Sequence, residues 1–269
     1  QYPDRFFDCG IAEQNMVGIA AGLAACGKIP FAASFAMFAA GRAFEQVRNS
    51  VGYPHLNVKI AGSHAGISVG EDGATHQCCE DIALMRTIPG MVVLNPADHY
   101  EMQAAVKAAA EYVGPVYIRL GRLAVESVHN NDDYTFELGK GITLRDGKDI
   151  TVVATGLMVQ EAVKAAQDLE AQGIDVRVID IHTIKPLDVD LLVKAARETG
   201  RIVTVEEHNV IGGLGEAVAS CLSEICPTPV TKIGIYDQFG HSGPAVDLLK
   251  EFGLSAENIA ATVKKVLSK

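Results

Sequence analysis

Short β-branched runs alternate with helix-length segments twice along this chain, and that alternation restricts the fold more than any single motif. In the first half, residues 30–35, Val58-Lys59-Ile60-Ala61-Gly62, Met91-Val92-Val93-Leu94 and Pro115-Val116-Tyr117-Ile118-Arg119 read as strands. Residues 12–25, 37–52 and 98–112 read as helices, the first ended by Gly27 and the second by Gly52 and Pro54. A short strand is expected at 5–8, a Gly-rich loop from Gly66 to Gly73 and a helix from His76 to Met85. Residues 122–148 are more polar and irregular, with Asn130-Asn131-Asp132-Asp133 marking a linker. The alternation restarts with strands at 150–155, 175–181, 201–206 and 230–235. Helices are expected at 157–172, 187–199 and 214–225, followed by two short C-terminal helices. Strand–helix–strand order of this kind builds mostly parallel sheets covered by helices on both faces. The expected fold is α/β with two doubly wound domains, at 1–124 and 137–269, joined by a linker at 125–136.

The 269 residues suffice for two ordinary domains, and 48% hydrophobic content supports a sizeable core. A formal net charge of −10 argues against a general nucleic-acid or membrane-surface binder, while leaving room for a local basic pocket. No apolar run reaches transmembrane length. The opening Gln1-Tyr2-Pro3-Asp4-Arg5-Phe6-Phe7 lacks the basic head and apolar segment of a secretory signal. Cys9, Cys26, Cys78, Cys79, Cys221 and Cys226 form no Cys-x-x-Cys pair and no zinc spacing with histidine. The vicinal Cys78-Cys79 pair reads as buried thiols in a reducing cytosol.

Glu13 stands in the first turn of a helix whose continuation, Val17-Gly18-Ile19-Ala20-Ala21-Gly22-Leu23-Ala24-Ala25, is small and apolar. The helix dipole favours a carboxylate at that end. A carboxylate facing a dry Ala/Gly surface also needs a donor or a proton, because burying it unpaired costs several kcal/mol. Downstream come Phe31-Ala32-Ala33-Ser34-Phe35-Ala36-Met37-Phe38 and Arg42-Ala43-Phe44-Glu45-Gln46-Val47-Arg48. His64-Ala65-Gly66-Ile67-Ser68-Val69-Gly70-Glu71-Asp72-Gly73-Ala74-Thr75-His76-Gln77 and Tyr117-Ile118-Arg119 complete the set.

This ordered set closely resembles the pyrimidine-binding domain of transketolase, a thiamine diphosphate enzyme, and the second half of the chain resembles the transketolase C-terminal domain. The resemblance spans essentially the whole chain, and its Gly-Glu-Asp-Gly-Ala-Thr-His-Gln block is the specific part. It implies transfer of a two-carbon ketol unit from a ketose phosphate to an aldose phosphate. It implies that Glu13 hydrogen-bonds N1′ of the cofactor's aminopyrimidine and that Phe35 and Phe38 pack on that ring. The family's third aromatic falls at about Gly41, and Phe44 is the expected substitute.

On the substrate side the resemblance implies that Arg119 clamps a sugar phosphate and that His64 binds phosphate. It also implies that Asp72 and His76 contact donor hydroxyls, with His76 moving a proton at a sugar oxygen. The family's metal–diphosphate motif, Gly-Asp-Gly followed by a distant Asn, is not in this chain. The diphosphate and its Mg2+ or Ca2+ are therefore expected on a separate N-terminal diphosphate-domain subunit. Thiamine diphosphate would lie between the chains of a two-plus-two complex. In the family a strand, a helix and another strand precede this point, so the resemblance also implies an upstream segment with further phosphate ligands.

Gly212-Gly213-Leu214-Gly215-Glu216 reads as a tight turn before a helix, since it lacks dinucleotide-binding spacing. His55, His99, His129, His182, His208 and His241 read as surface or packing residues, and Glu206-Glu207 as facing an interface. Competing readings are a 1-deoxyxylulose-5-phosphate synthase, the beta subunit of an oxoacid dehydrogenase, and a non-catalytic scaffold. The paired His64 and His76 around Gly-Glu-Asp-Gly weigh toward transketolase.

Overall fold

The computed structural model describes residues 2–130 and 134–268. Asn131, Asp132 and Asp133 of the expected linker lie outside the described residues. Helix α1 (Glu13–Ala25) ends where expected, with Gly27 at φ +79°. The Lys28 amide bonds the Leu23 carbonyl at 3.1 Å and the Gly27 amide bonds Ala24 at 2.9 Å. This double closure needs a left-handed residue, which glycine adopts without strain. Strand β1 (Phe31–Phe35) leads into helix α2 (37–52), which carries wide π-type turns at Met37–Arg42 and Val47–Gly52. Strand β2 (Lys59–Ser63), helix α3 (Asp81–Arg86), strand β3 (Val92–Leu94), helix α4 (His99–Glu111) and strand β4 (Val116–Arg119) follow. Asp98 caps α4 by accepting from the Glu101 amide at 3.0 Å.

Two expectations in this half are corrected. Residues 5–8 form no strand: Pro3–Arg5 make a 3-10 turn, and Phe6 and Phe7 stand 75% and 62% exposed. Strand β1 is an edge, and among the described residues no strand pairs beyond it. The helix expected from His76 begins only at Asp81. The His76 and Gln77 amides turn back to the Gly73 carbonyl, and the Gly66 amide bonds the Cys78 carbonyl at 2.8 Å while Ala65 bridges Cys78, which ties these residues to the glycine loop instead of a helix. Cys78 and Cys79 are free thiols, and burial pushes both far above the ordinary thiol range.

The second half supplies β5 (Ile142–Arg145), β6 (Ile150–Ala154), α5 (Met158–Glu170), β7 (Val176–Asp180), β8 (Thr183–Lys185) and α6 (Val189–Thr199). It continues with β9 (Ile202–Asn209), α7 (Leu214–Ile225), β10 (Val230–Ile235), α8 (Ala245–Glu251) and α9 (Ala256–Leu267). Its sheet runs β10-β9-β6-β7-β5, parallel except for β5 at the edge. The first sheet runs β1-β2-β4-β3-β8, parallel except for β8. Strand β8 therefore comes from the second half and completes the sheet of the first. Lys185 secures it by donating to the Arg86 and Ile88 carbonyls at 2.8 and 2.7 Å. Among the described residues no helix is long and apolar enough to cross a membrane.

Buried charges tie the halves together. Arg119 donates through Nε to Asp81 Oδ2 at 2.9 Å and through Nη2 to the Glu207 carbonyl at 2.8 Å. Tyr117 donates to Asp81 at 2.7 Å, and Glu207 accepts from the Ser68 amide at 2.7 Å. The glycine turn at 212–215 does hold an acidic group, the Glu206 carboxyl of the same chain. The Leu214 and Gly215 amides at the start of α7 donate to it at 2.6 and 2.8 Å. A side chain at Gly213 would overlap that carboxylate.

Candidate active site

Parallel strands leave their carboxyl ends free to form a crevice, and the residues expected to carry chemistry gather at the ends of β1 and β2. Glu13 is 7% exposed. It accepts from Ser34 Oγ at 3.3 Å and from Arg42 Nη1 at 3.1 Å. The β1–β2 register sets Phe35 beside Ser63. Ser63 Oγ then donates to the Ser34 carbonyl at 3.3 Å and lies 3.0 Å from His64 Nδ1. A bonded path thus runs from the first turn of α1, across β1, to the residue that follows β2.

His64 has φ +55°, a left-handed conformation costing a non-glycine residue roughly 1–2 kcal/mol. Its ring stacks on Phe35 with centroids 3.9 Å apart and planes 10° apart. Phe38 lies 6.4 Å from Phe35 and nearly parallel to it, and meets the edge of His76 at 5.3 Å. The Arg42 guanidinium lies over Phe38 at 4.6 Å. At the rim Asp72 accepts from Arg122 Nη1 at 3.2 Å, and the same nitrogen bonds the Val69 carbonyl. Burial and the Arg122 charge lower the His64 pKa, with Asp72 opposing them, so its ring favours the neutral form.

The structure thus brings together Glu13, Phe35, Phe38, His64, Asp72 and His76. Two expected residues lie elsewhere. Arg119 is 4% exposed and committed to Asp81, so it has no face toward a sugar phosphate. Phe44 packs against the apolar core rather than joining the aromatic cluster. Its place beside Gly41 is taken by Met37, whose methyl fills the space a Gly41 side chain would need. Arg122 is the rim cation that sequence reasoning missed. The available signal was its position beyond the end of β4, in Arg119-Leu120-Gly121-Arg122.

A buried carboxylate acceptor next to two nearly parallel phenylalanine rings suits a flat aminopyrimidine. Among the described residues one cluster of three His, Asp and Glu side chains could hold a metal, and it contains no residue of this cleft.

The transketolase pyrimidine-binding domain family matches residues 1–127, and the transketolase C-terminal domain family matches residues 139–259. A solved structure described as a split-gene transketolase, an inactive β4 tetramer, is 56% identical with a TM-score of 0.93. The match covers 99% of this chain and 86% of that one. The 6-deoxy-6-sulfo-D-fructose transketolase subunit of a Clostridium species is 48% identical, over 99% of this chain and 82% of its own length. One of the subunits of the apulose-4-phosphate transketolase of Phocaeicola vulgatus is 45% identical, over 100% of this chain and 86% of its own length.

Proposed function

The chain belongs to the transketolase family, and from that premise we propose that it is the pyrimidine-binding subunit of a two-chain enzyme that moves a two-carbon ketol unit between sugars. The observation that carries the reading is the buried Glu13 beside Phe35 and Phe38. Thiamine diphosphate, when bound, supplies the ring that holds the carbanion equivalent. Glu13 accepts the hydrogen bond that orients the aminopyrimidine, and Phe35 and Phe38 give it an apolar seat. His64 and His76 face the same space and are placed to bond sugar oxygens, with His76 the proton carrier. Arg122, exposed and paired with Asp72, takes the anion-clamping role first expected of Arg119.

The Mg2+ or Ca2+ and the diphosphate sit on a separate subunit. The exposed Phe6, Phe7 and Ile11, immediately before Glu13, give such a partner apolar surface to cover. By likeness to the split-gene structure, the chain without its partner self-associates into an inactive tetramer. The sugars named for two relatives, one sulfonated and one phosphorylated, support a ketose donor bearing an anionic group.

The test is transfer from xylulose 5-phosphate to ribose 5-phosphate with thiamine diphosphate and magnesium. It is run with this chain alone and mixed with a candidate diphosphate-domain subunit. Activity only in the mixture, abolished by Glu13→Gln, supports the proposal. Turnover of pyruvate without ketol transfer would move the assignment to a synthase or oxoacid dehydrogenase. Equal activity with Glu13→Ala would make the chain a scaffold.

A further inference from the structure

Away from the cleft, three segments distant in sequence place possible metal-ligand atoms around one buried point. Glu101 lies in α4, His129 in the linker, and Asp180 ends β7. One donor atom from each lies within 4.8 Å of the others. His129 Nε2 is 3.5 Å from Asp180 Oδ2 and 4.0 Å from Glu101 Oε1. Ligands about 2.0–2.2 Å from a zinc-sized ion stand roughly 3–4 Å from one another, so small movements would close the site.

Two of the three side chains facing this point present atoms without partners. Asp180 is fully buried and neither of its oxygens accepts a hydrogen bond; His129 Nε2 is also buried and unpaired. Leaving such groups unsatisfied costs several kcal/mol unless something occupies the space. The groups behind them are already set. Asp98 Oδ2 lies 3.2 Å from His129 Nδ1, which fixes the tautomer that turns a bare Nε2 inward. This carboxylate–imidazole pair is the usual support of a metal-bound histidine. Tyr134 and the Ala97 amide donate to the two Glu101 oxygens at 2.7 and 2.6 Å, orienting that carboxylate. Among the described residues, His129 is the only basic side chain within 4.0 Å of Asp98, Glu101 and Asp180.

We propose that Glu101, His129 and Asp180 bind a divalent transition-metal ion of the zinc class, which staples the linker to both halves of the chain. A mixed imidazole–carboxylate set suits such an ion better than calcium or magnesium, which favour oxygen ligands alone. The site is separate from the cofactor's metal, which the proposed function assigns to another subunit. The competing occupant is a proton shared between Asp180 and Glu101. Burial raises both carboxyls above the ordinary range, and the Glu101 charge raises Asp180 further.

The deciding experiment measures metal in the purified chain by plasma mass spectrometry, and melting of the chelator-stripped chain with Zn2+ or Mn2+ added. About one ion per chain is expected, falling below about a tenth in Asp180→Asn and His129→Gln and retained in His64→Ala. Zn2+ at a hundredfold excess over its Kd should raise the Tm of the stripped chain by roughly 5 °C or more. A stripped chain whose Tm ignores both ions, with Asp180→Asn as stable as wild type, would establish the shared proton instead. Metal that persists in both ligand variants would place it elsewhere and overturn the assignment.

Discussion

Arg42 donates to the Glu13 carboxylate from 3.1 Å while its guanidinium lies 4.6 Å from the centre of the Phe38 ring. It therefore holds both features proposed to receive the aminopyrimidine. Cofactor and Arg42 compete for one acceptor, and the Arg42 side chain is 49% exposed, so its release is cheap. Arg42→Ala is expected to tighten thiamine diphosphate binding to the assembled enzyme by a few fold, about 0.5–1 kcal/mol. Titration of activity against cofactor concentration checks this, and a large loss of affinity would show that Arg42 is itself a cofactor ligand.

The two arginines at the end of β4 and just beyond it should separate function from stability. Arg119→Ala strands Asp81 uncompensated in the interior and is expected to cost about 3–5 kcal/mol of folding free energy. Arg122→Ala removes an exposed side chain. It should leave the denaturation midpoint nearly unchanged while raising KM for a phosphorylated donor about tenfold or more. Urea unfolding and steady-state kinetics on both variants read out the contrast.

Glu206 makes stability depend on pH. Burial pushes its pKa from an ordinary 4.5 up to about 7, even though two amides donate to it. Between these values the folded chain holds a proton that the unfolded chain has released. Stability from this group is therefore full below pH 4.5 and declines as pH rises toward 7. Relative to Glu206→Gln, wild type should lose up to roughly 3 kcal/mol across that window. Chemical denaturation at pH 4.5 and 7.5 tests the sign; a gain for wild type at the higher pH would refute it.

Gly66 is at φ +88° and ψ −173°, a region open essentially to glycine, and a side chain there would overlap Glu207. Gly66→Ala should displace Glu207 from the Ser68 amide and destabilise the chain by about 2–4 kcal/mol. Because the loop between His64 and His76 starts here, transfer activity should fall as well. A thermal melt and an assay of the assembled enzyme suffice to check both.

Residue order alone determined the alternation of strands and helices, and with it the parallel sheets. Local chemistry carries that information: β-branched runs, Gly27 after a small apolar helix, and Asp98 ahead of α4. The gathering of Glu13, Phe35, Phe38, His64 and His76 was also legible, through the resemblance of their ordered motifs to the transketolase pyrimidine-binding domain. Tertiary structure alone decided which arginine faces the cleft. Arg119 and Arg122 are three residues apart, and the choice depended on Asp81 and Glu207 claiming the first. It also decided that β8 would cross into the other sheet and that Glu101, His129 and Asp180 would meet. Such pairings join segments separated by tens of residues. They are set by burial and register across the whole fold, and no local spacing records them.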